Sequence, residues 1–113
     1  AFRSSFSALI DRPDTLVLVA EIDGKINGYL LASCHGTFFA NGPVVWIEEV
    51  MVATSAREKG VGRSLMVRAE QWAATLPATY VSLASRRSGD FYRKLEYVDS
   101  ATYFKKDMSP SGS

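Results

Sequence analysis

The segment VVWIEEVMVATSAREKGVGRSLMVRAEQWAATLP, from Val44 to Pro77, constrains the fold more than any other stretch. It opens as a β-rich run, Val44 to Val52, that is apolar apart from Glu48 and Glu49. After the connector ATSAREK comes a helical pattern from about Gly60 to Leu76. Leu65, Ala69, Trp72 and Leu76 form its apolar stripe, Met66 and Ala73 widen it, and Pro77 closes it. A further β-rich run, Thr79 to Ser85, follows. Strand, helix and strand in that order predict a right-handed parallel crossover. The first of these strands reads as central, with both faces covered. Two adjacent carboxylates are costly there unless one faces water or a polar cleft.

The flanking sequence extends this unit. Phe2 to Asp11 reads as a short helix, with Phe2, Phe6, Leu9 and Ile10 near helical spacing and Pro13 as its stop. TLVLVAEIDGKINGYLLASC carries two strand-like runs around Asp23-Gly24, a strong hairpin signal, and Gly28 marks a candidate bulge. His35 to Pro43 is a loop holding Phe38 and Phe39, which either cap the core or line a substrate pocket. SGDFYRKLEY predicts a short helix with Ser88 as N-cap and Asp90 in its first turn. YVDSATYFKKDM reads as one or two final strands. The expected class is α/β or α+β: a mixed sheet with flanking helices, in one domain over residues 1–108. SPSGS, at 109–113, is expected to be a disordered tail.

Composition narrows the chemistry. Thirteen basic and 12 acidic residues leave a net charge of +1, which gives no electrostatic footprint for nucleic acid and no polybasic membrane patch. The single cysteine, Cys34, permits no internal disulfide and fits a reducing cytoplasm. One Cys and one His exclude zinc sites built from those residues, and no metal is expected. His35 reads as a solvated loop histidine, and Cys34 as a buried or pocket-edge thiol. No apolar run approaches the ~18–20 residues that a spanning helix needs.

REKGVGR, Arg57 to Arg63, opens the long helix with two glycines. Unpaired N–H groups in a first turn and the positive end of the helix dipole bind anions, and glycines let a pyrophosphate approach the backbone. The Walker A spacing fails, because Gly60 and Gly62 are too close and Arg63-Ser64 replaces Lys-Ser. The dinucleotide fingerprint is weak, because Leu65 stands at the third glycine position. A plain helix start with incidental glycines is the bland alternative, at a cost of ~1 kcal/mol for a glycine against alanine.

REKGVG and DFYRKLEY together resemble the GNAT family of N-acetyltransferases. The family's coenzyme motif reads Gln or Arg, two residues, Gly, one residue, then Gly or Ala, between a central strand and a helix; REKGVG fits it throughout. The second motif is matched by DFYRKLEY except that Glu96 stands where glycine is usual. The resemblance covers residues 44–105. It implies a splayed mixed sheet and acetyl-coenzyme A as cosubstrate. The pantetheine arm would pair with the backbone of Val50, Met51 and Val52. The pyrophosphate would lie against Arg57, Glu58, Lys59, Gly60, Val61, Gly62 and Arg63. The family normally has a strand and a helix ahead of the segment that begins here, so an N-terminally shortened form is expected. Pairing through C-terminal strands in the family, and an open sheet edge, suggest a homodimer.

The reaction sets two further demands. A lysine-like amine with pKa about 10.4 has its neutral form about 4–5 kcal/mol uphill at pH 7. Glu48 and Glu49 are the carboxylates available to take that proton, and in a regular strand they face opposite ways. Glu48 shares parity with Trp46 and Val50, and the resemblance favours it as base, with Glu49 second; a strand-end carboxylate paired with an arginine is the structural alternative. Tyr92 matches the family tyrosine that protonates the departing thiolate. A backbone N–H near Met51 or Val52 would serve as oxyanion donor. Arg86 and Arg87 could meet a phosphate, but as a loop pair they read as solvated. The expected activity is acetyl transfer to a small or peptide amine, with a non-catalytic coenzyme-binding module and a nucleotide-binding regulatory domain as rivals.

Overall fold

In a computed structural model, the described residues are 4–12, 14–36, 42–57, 59–85, 88–101 and 103–109. They divide into two compact units, Ala1–Leu83 and Ala84–Ser113.

The first unit is a five-stranded sheet with one long helix. The strands are β1 (Ser4–Arg12), β2 (Thr15–Ile22), β3 (Lys25–His35), β4 (Val44–Val52) and β5 (Val81–Leu83), and they lie side by side in chain order. The pairs β1–β2, β2–β3 and β3–β4 are antiparallel, and β4–β5 is parallel. Helix α1 (Val61–Thr75) makes the connection that a parallel pair requires. A 3₁₀ turn, Thr54–Ala56, stands between β4 and α1.

The Asp23-Gly24 signal is borne out. Ile22 pairs with Lys25, and φ is 51° at Asp23 and 79° at Gly24, the paired positive angles of a two-residue hairpin turn. The predicted bulge is also present. Ala20 pairs with Gly28 and Glu21 with Ile26, so Asn27 is the extra residue. Gly28 is needed for space: a Cβ there would meet the Met51 carbonyl oxygen at 2.9 Å and Val61 Cγ1 at 3.2 Å.

The helix expected over Phe2 to Asp11 is, from Ser4 on, instead β1; Phe2 lies outside the described residues. Ala8 pairs with Leu18 and Ile10 with Val17, so Leu9 is an inserted bulge residue. That insertion breaks the strand alternation and leaves apolar residues at a spacing that resembles a helix. Pairing with β2 overrides the local pattern.

The core lies between the sheet and α1. Leu16, Leu18, Ala20, Leu30, Ala32, Val45 and Ile47 are buried, as are Val61, Leu65, Met66, Ala69, Trp72 and Ala73 of α1. The predicted stripe is buried at every position but Leu76, which is intermediate. Leu65 and Met66 are fully enclosed, each contributing about 1.5–3 kcal/mol relative to exposure.

The second unit holds α2 (Gly89–Lys94), at the predicted place. Ser88 makes no side-chain cap; its N–H donates to Ser85 Oγ at 3.0 Å. No strand follows α2 among the described residues, which corrects the expectation for Tyr97 to Met108. The predicted strand over Thr79 to Ser85 shrinks to β5. Phe38, Phe39, Glu58, Arg86, Arg87 and residues 110–113 lie outside the described residues.

Candidate active site

β4 is not a regular strand. Leu31 pairs with Glu49 and Ala32 with Ile47, which leaves Glu48 as an extra residue in the ladder. Across a bulge the alternation of faces is reset. Burial follows from Val45 on: Val45 and Ile47 are buried, Trp46, Glu48, Glu49 and Met51 are exposed, and Val50 and Val52 are intermediate, while Val44 at the strand start is buried too. Both carboxylates therefore lie on the face away from α1. Two contacts agree. Tyr29 donates its hydroxyl to Glu49 Oε1 at 3.3 Å, and His35 Nε2 lies 3.6 Å from Glu48 Oε1.

The expectation that Glu48 and Glu49 face opposite ways is thus corrected by the bulge; the expectation of two covered faces holds at Val44 and Val45, both buried, and is corrected from Trp46 onward by the exposed residues. His35 is also not a loop residue; it is the last residue of β3. The sequence signal for the bulge was the pair of adjacent glutamates in an otherwise apolar strand. Tyr29 and His35 had no such signal, because their roles depend on register.

Charge perturbs this face. The Glu49 carboxylate, and then desolvation, push the Tyr29 phenol above its ordinary value. No arginine is paired with either carboxylate among the described residues; the ion pairs there include His35–Glu48, Arg93 with Asp90 and Asp99, and Lys105–Asp107.

The edge of β4 is the second element. β5 pairs only with Val45, Trp46 and Ile47. β3 continues along the other edge as far as Val52. From Glu48 to Val52, one edge of β4 therefore faces no strand among the described residues. Exposed Met51, with Val50 and Val52, lies on this stretch.

The third element is the start of α1. Gly60 is its N-cap, left-handed at φ 76°, and no side chain caps it. A Cβ at Gly60 would meet nothing within 4 Å, so the backbone angle rather than crowding calls for glycine. The first helical bond runs from Ser64 N–H to the Gly60 carbonyl at 3.0 Å. The N–H groups of Val61, Gly62 and Arg63 precede it and have no acceptor within the helix. The first turn carries no acidic residue to compete for them. Arg57 is tied back to the strand, its Nε donating to the Val52 carbonyl at 3.3 Å.

An open strand edge can take a further extended segment, and a helix start with unpaired N–H groups can take an anion. The family model for the acetyltransferase (GNAT) family matches residues 2–97. The chain belongs to this family. As a GNAT acetyltransferase it uses acetyl-coenzyme A as cosubstrate. No curated protein matches it in sequence.

Solved GNAT-type structures share the fold. Glucosamine-6-phosphate N-acetyltransferase from Arabidopsis thaliana is 22% identical, with a TM-score of 0.81 over 86% of this chain and 69% of that one. An acetyltransferase from Trypanosoma brucei is 18% identical, with a TM-score of 0.84 over 94% of this chain and 100% of that one. An aminoglycoside acetyltransferase from an uncultured soil metagenomic sample, solved with trehalose, is 20% identical, with a TM-score of 0.75 over 89% and 70%.

The acetyltransferase's second unit carries Tyr92. Its ring lies 5.0 Å from Phe91 and 6.1 Å from Tyr97, both edge-on. Burial pushes its phenol above the ordinary value. Glu96, at the usual glycine position, has φ 72°. The turn is kept with a non-glycine residue: Glu96 N–H bonds to Arg93 O and Tyr97 N–H to Tyr92 O, both at 3.0 Å. Arg93 braces it from outside, reaching Asp90 at 3.0 Å and Asp99 at 3.2 Å.

Among the described residues, no group of three or more His, Cys, Asp or Glu could hold a metal ion. No helix there is long and apolar enough to cross a membrane.

Proposed function

We propose that the chain transfers the acetyl group of acetyl-coenzyme A to a primary amine by direct attack, with Glu48 as base and Tyr92 as acid. The observation that carries this reading is the Glu48 bulge. It sets two carboxylates on one exposed face, on the stretch of β4 whose free edge suits the pantetheine arm. The peptide groups of Val50, Met51 and Val52 would bond that arm as a neighbouring strand does. The N–H groups of Val61, Gly62 and Arg63 would receive the pyrophosphate, with Arg57, Glu58, Lys59 and Gly60 shaping the approach.

In the reaction, an amine nitrogen attacks the thioester carbonyl. Its proton passes to Glu48, directly or through water. The carbon–sulfur bond breaks, and the thiolate is protonated or hydrogen-bonded by Tyr92. No covalent enzyme intermediate is formed, so Cys34 has no role as nucleophile.

Solved structures named for glucosamine-6-phosphate and aminoglycosides support an acceptor with an amine on a polar scaffold. The test follows free thiol release from acetyl-coenzyme A with amino sugars, aminoglycosides, polyamines and peptides. Acceptor-dependent release that collapses in Glu48→Gln supports the reading. Coenzyme binding with no release from any acceptor replaces it with a non-catalytic binding module.

A homodimer and a cytoplasmic location belong to this reading. The open β1 edge of the described sheet supports the dimer. Sedimentation velocity tests it.

A further inference from the structure

Glu48 and Glu49 are sequence neighbours on one face, yet they have different partners. Glu49 takes a hydrogen bond from Tyr29, a phenol that stays protonated at neutral pH. Glu48 faces His35, an imidazole that can accept a proton. The Nε2–Oε1 distance is 3.6 Å, too long for a direct hydrogen bond but within reach of one small rotation or one bridging water. The His35 and Glu48 side chains are 50% and 41% exposed, so the pair touches the site face and bulk water together.

The bulge and the strand end create this pairing. His35 pairs with Val44 and Ser33 with Trp46, so His35 and Trp46 share the face that carries Glu48. Trp46, itself exposed, stands between them in the register.

We propose that His35 is the proton exit for Glu48, a positioning residue that acts through the carboxylate and not on the acceptor. The proposal rests on Glu48 being the base. As the nitrogen–carbon bond forms, the amine proton moves to the Glu48 carboxylate. The resulting carboxylic acid passes it to Nε2 of the neutral imidazole. The imidazolium then releases its Nδ1 proton to bulk water, Glu48 is again a carboxylate, and the half-exposed ring returns to its Nδ1–H tautomer by exchange with solvent before the next turnover. No group is oxidised or reduced.

The test compares His35→Ala, His35→Gln and Glu48→Gln in the full chain, with the best amine of the acceptor panel and dilute buffer. Glutamine keeps a hydrogen-bonding group beside Glu48 but cannot take up and pass on a proton. Both His35 variants should lose kcat about 10²-fold, the lower end of the range for proton-transfer catalysis, with the KM for acetyl-coenzyme A unchanged. Added imidazole should restore His35→Ala in a saturable way and leave Glu48→Gln unaffected. Wild-type kcat in His35→Gln, or no response of His35→Ala to imidazole, overturns the relay while Glu48 stands as base. Wild-type kcat in Glu48→Gln overturns the base itself, and the relay with it. A second readout needs no acceptor. His35 is the single histidine, so its ring nitrogens give one pair of NMR signals. The Nε2 signal at pH 8 should move in Glu48→Gln and hold in Glu49→Gln; the opposite pattern removes the contact on which the relay depends.

Discussion

The Tyr29 hydroxyl donates to Glu49 Oε1 at 3.3 Å across the β3–β4 pair, from the same face that carries Glu48. The distance is long for a hydroxyl donor, so charge does more here than hydrogen bonding. A negative carboxylate disfavours a neighbouring phenolate, which raises the Tyr29 value. Glu49→Gln should therefore shift one tyrosine's ionisation to lower pH. Ultraviolet titration of the phenolate band checks this, with Tyr29→Phe identifying the signal among the five tyrosines. An unchanged curve in Glu49→Gln would remove Tyr29 as the partner of Glu49.

Gly60→Ala separates backbone strain from ligand binding. The left-handed angle at Gly60 costs an alanine about 1–2 kcal/mol, while the new methyl meets nothing. The expected loss of thermal stability is about 4–8 °C per kcal/mol for a domain of this class. If the α1 N-terminus holds the coenzyme pyrophosphate, calorimetry should also show weaker binding of coenzyme A than of its dephosphorylated pantetheine fragment relative to wild type. Equal effects on both ligands would place the pyrophosphate elsewhere.

How much of this was legible beforehand differs by element. The Asp23-Gly24 turn and the α1 stripe depend on residues close in sequence, and both were readable. The Arg57–Gly62 motif was readable too, and it pointed to the family that the chain belongs to. β1 was not, because the Leu9 bulge disguises a strand as a helix and only pairing with β2 resolves it. The orientation of Glu48 and Glu49 was hidden for the same reason. One inserted residue turns opposite faces into a shared face, and register is a property of two strands. Tyr29 and His35 join the site only through that register.

Glu96 offers a test of the second unit. It holds φ 72° where the family motif has glycine, and a side chain in that region costs about 1–2 kcal/mol. Glu96 is exposed, so little packing opposes its removal. Glu96→Gly should stabilise the chain by about 1 kcal/mol, reduced by the greater freedom of glycine in the unfolded state. Chemical denaturation should show a higher midpoint at unchanged slope. A lower midpoint would mean that the glutamate side chain contributes more than its backbone angle costs.

Tyr92→Phe tests the acid and carries a pH signature. Phenylalanine keeps the edge-on ring packing with Phe91 and Tyr97 and removes only the hydroxyl. If Tyr92 serves the departing thiolate, kcat should fall about 10²–10⁴-fold with little change in the KM for acetyl-coenzyme A. The sign of the pH effect follows from burial, which raises the folded phenol above its unfolded value of about 10. Below that unfolded value both states are protonated, and the stabilising contribution is fully present. As pH rises further, the unfolded chain loses its proton first, so stability declines until the folded phenol ionises as well. Thermal unfolding between pH 8 and pH 11 should therefore fall less steeply in Tyr92→Phe than in the wild type. The same raised value keeps the acid protonated across the neutral range, so the wild-type rate should show no Tyr92-dependent alkaline loss below about pH 10. A Tyr92→Phe variant with wild-type kcat and the wild-type alkaline slope would remove Tyr92 from both roles.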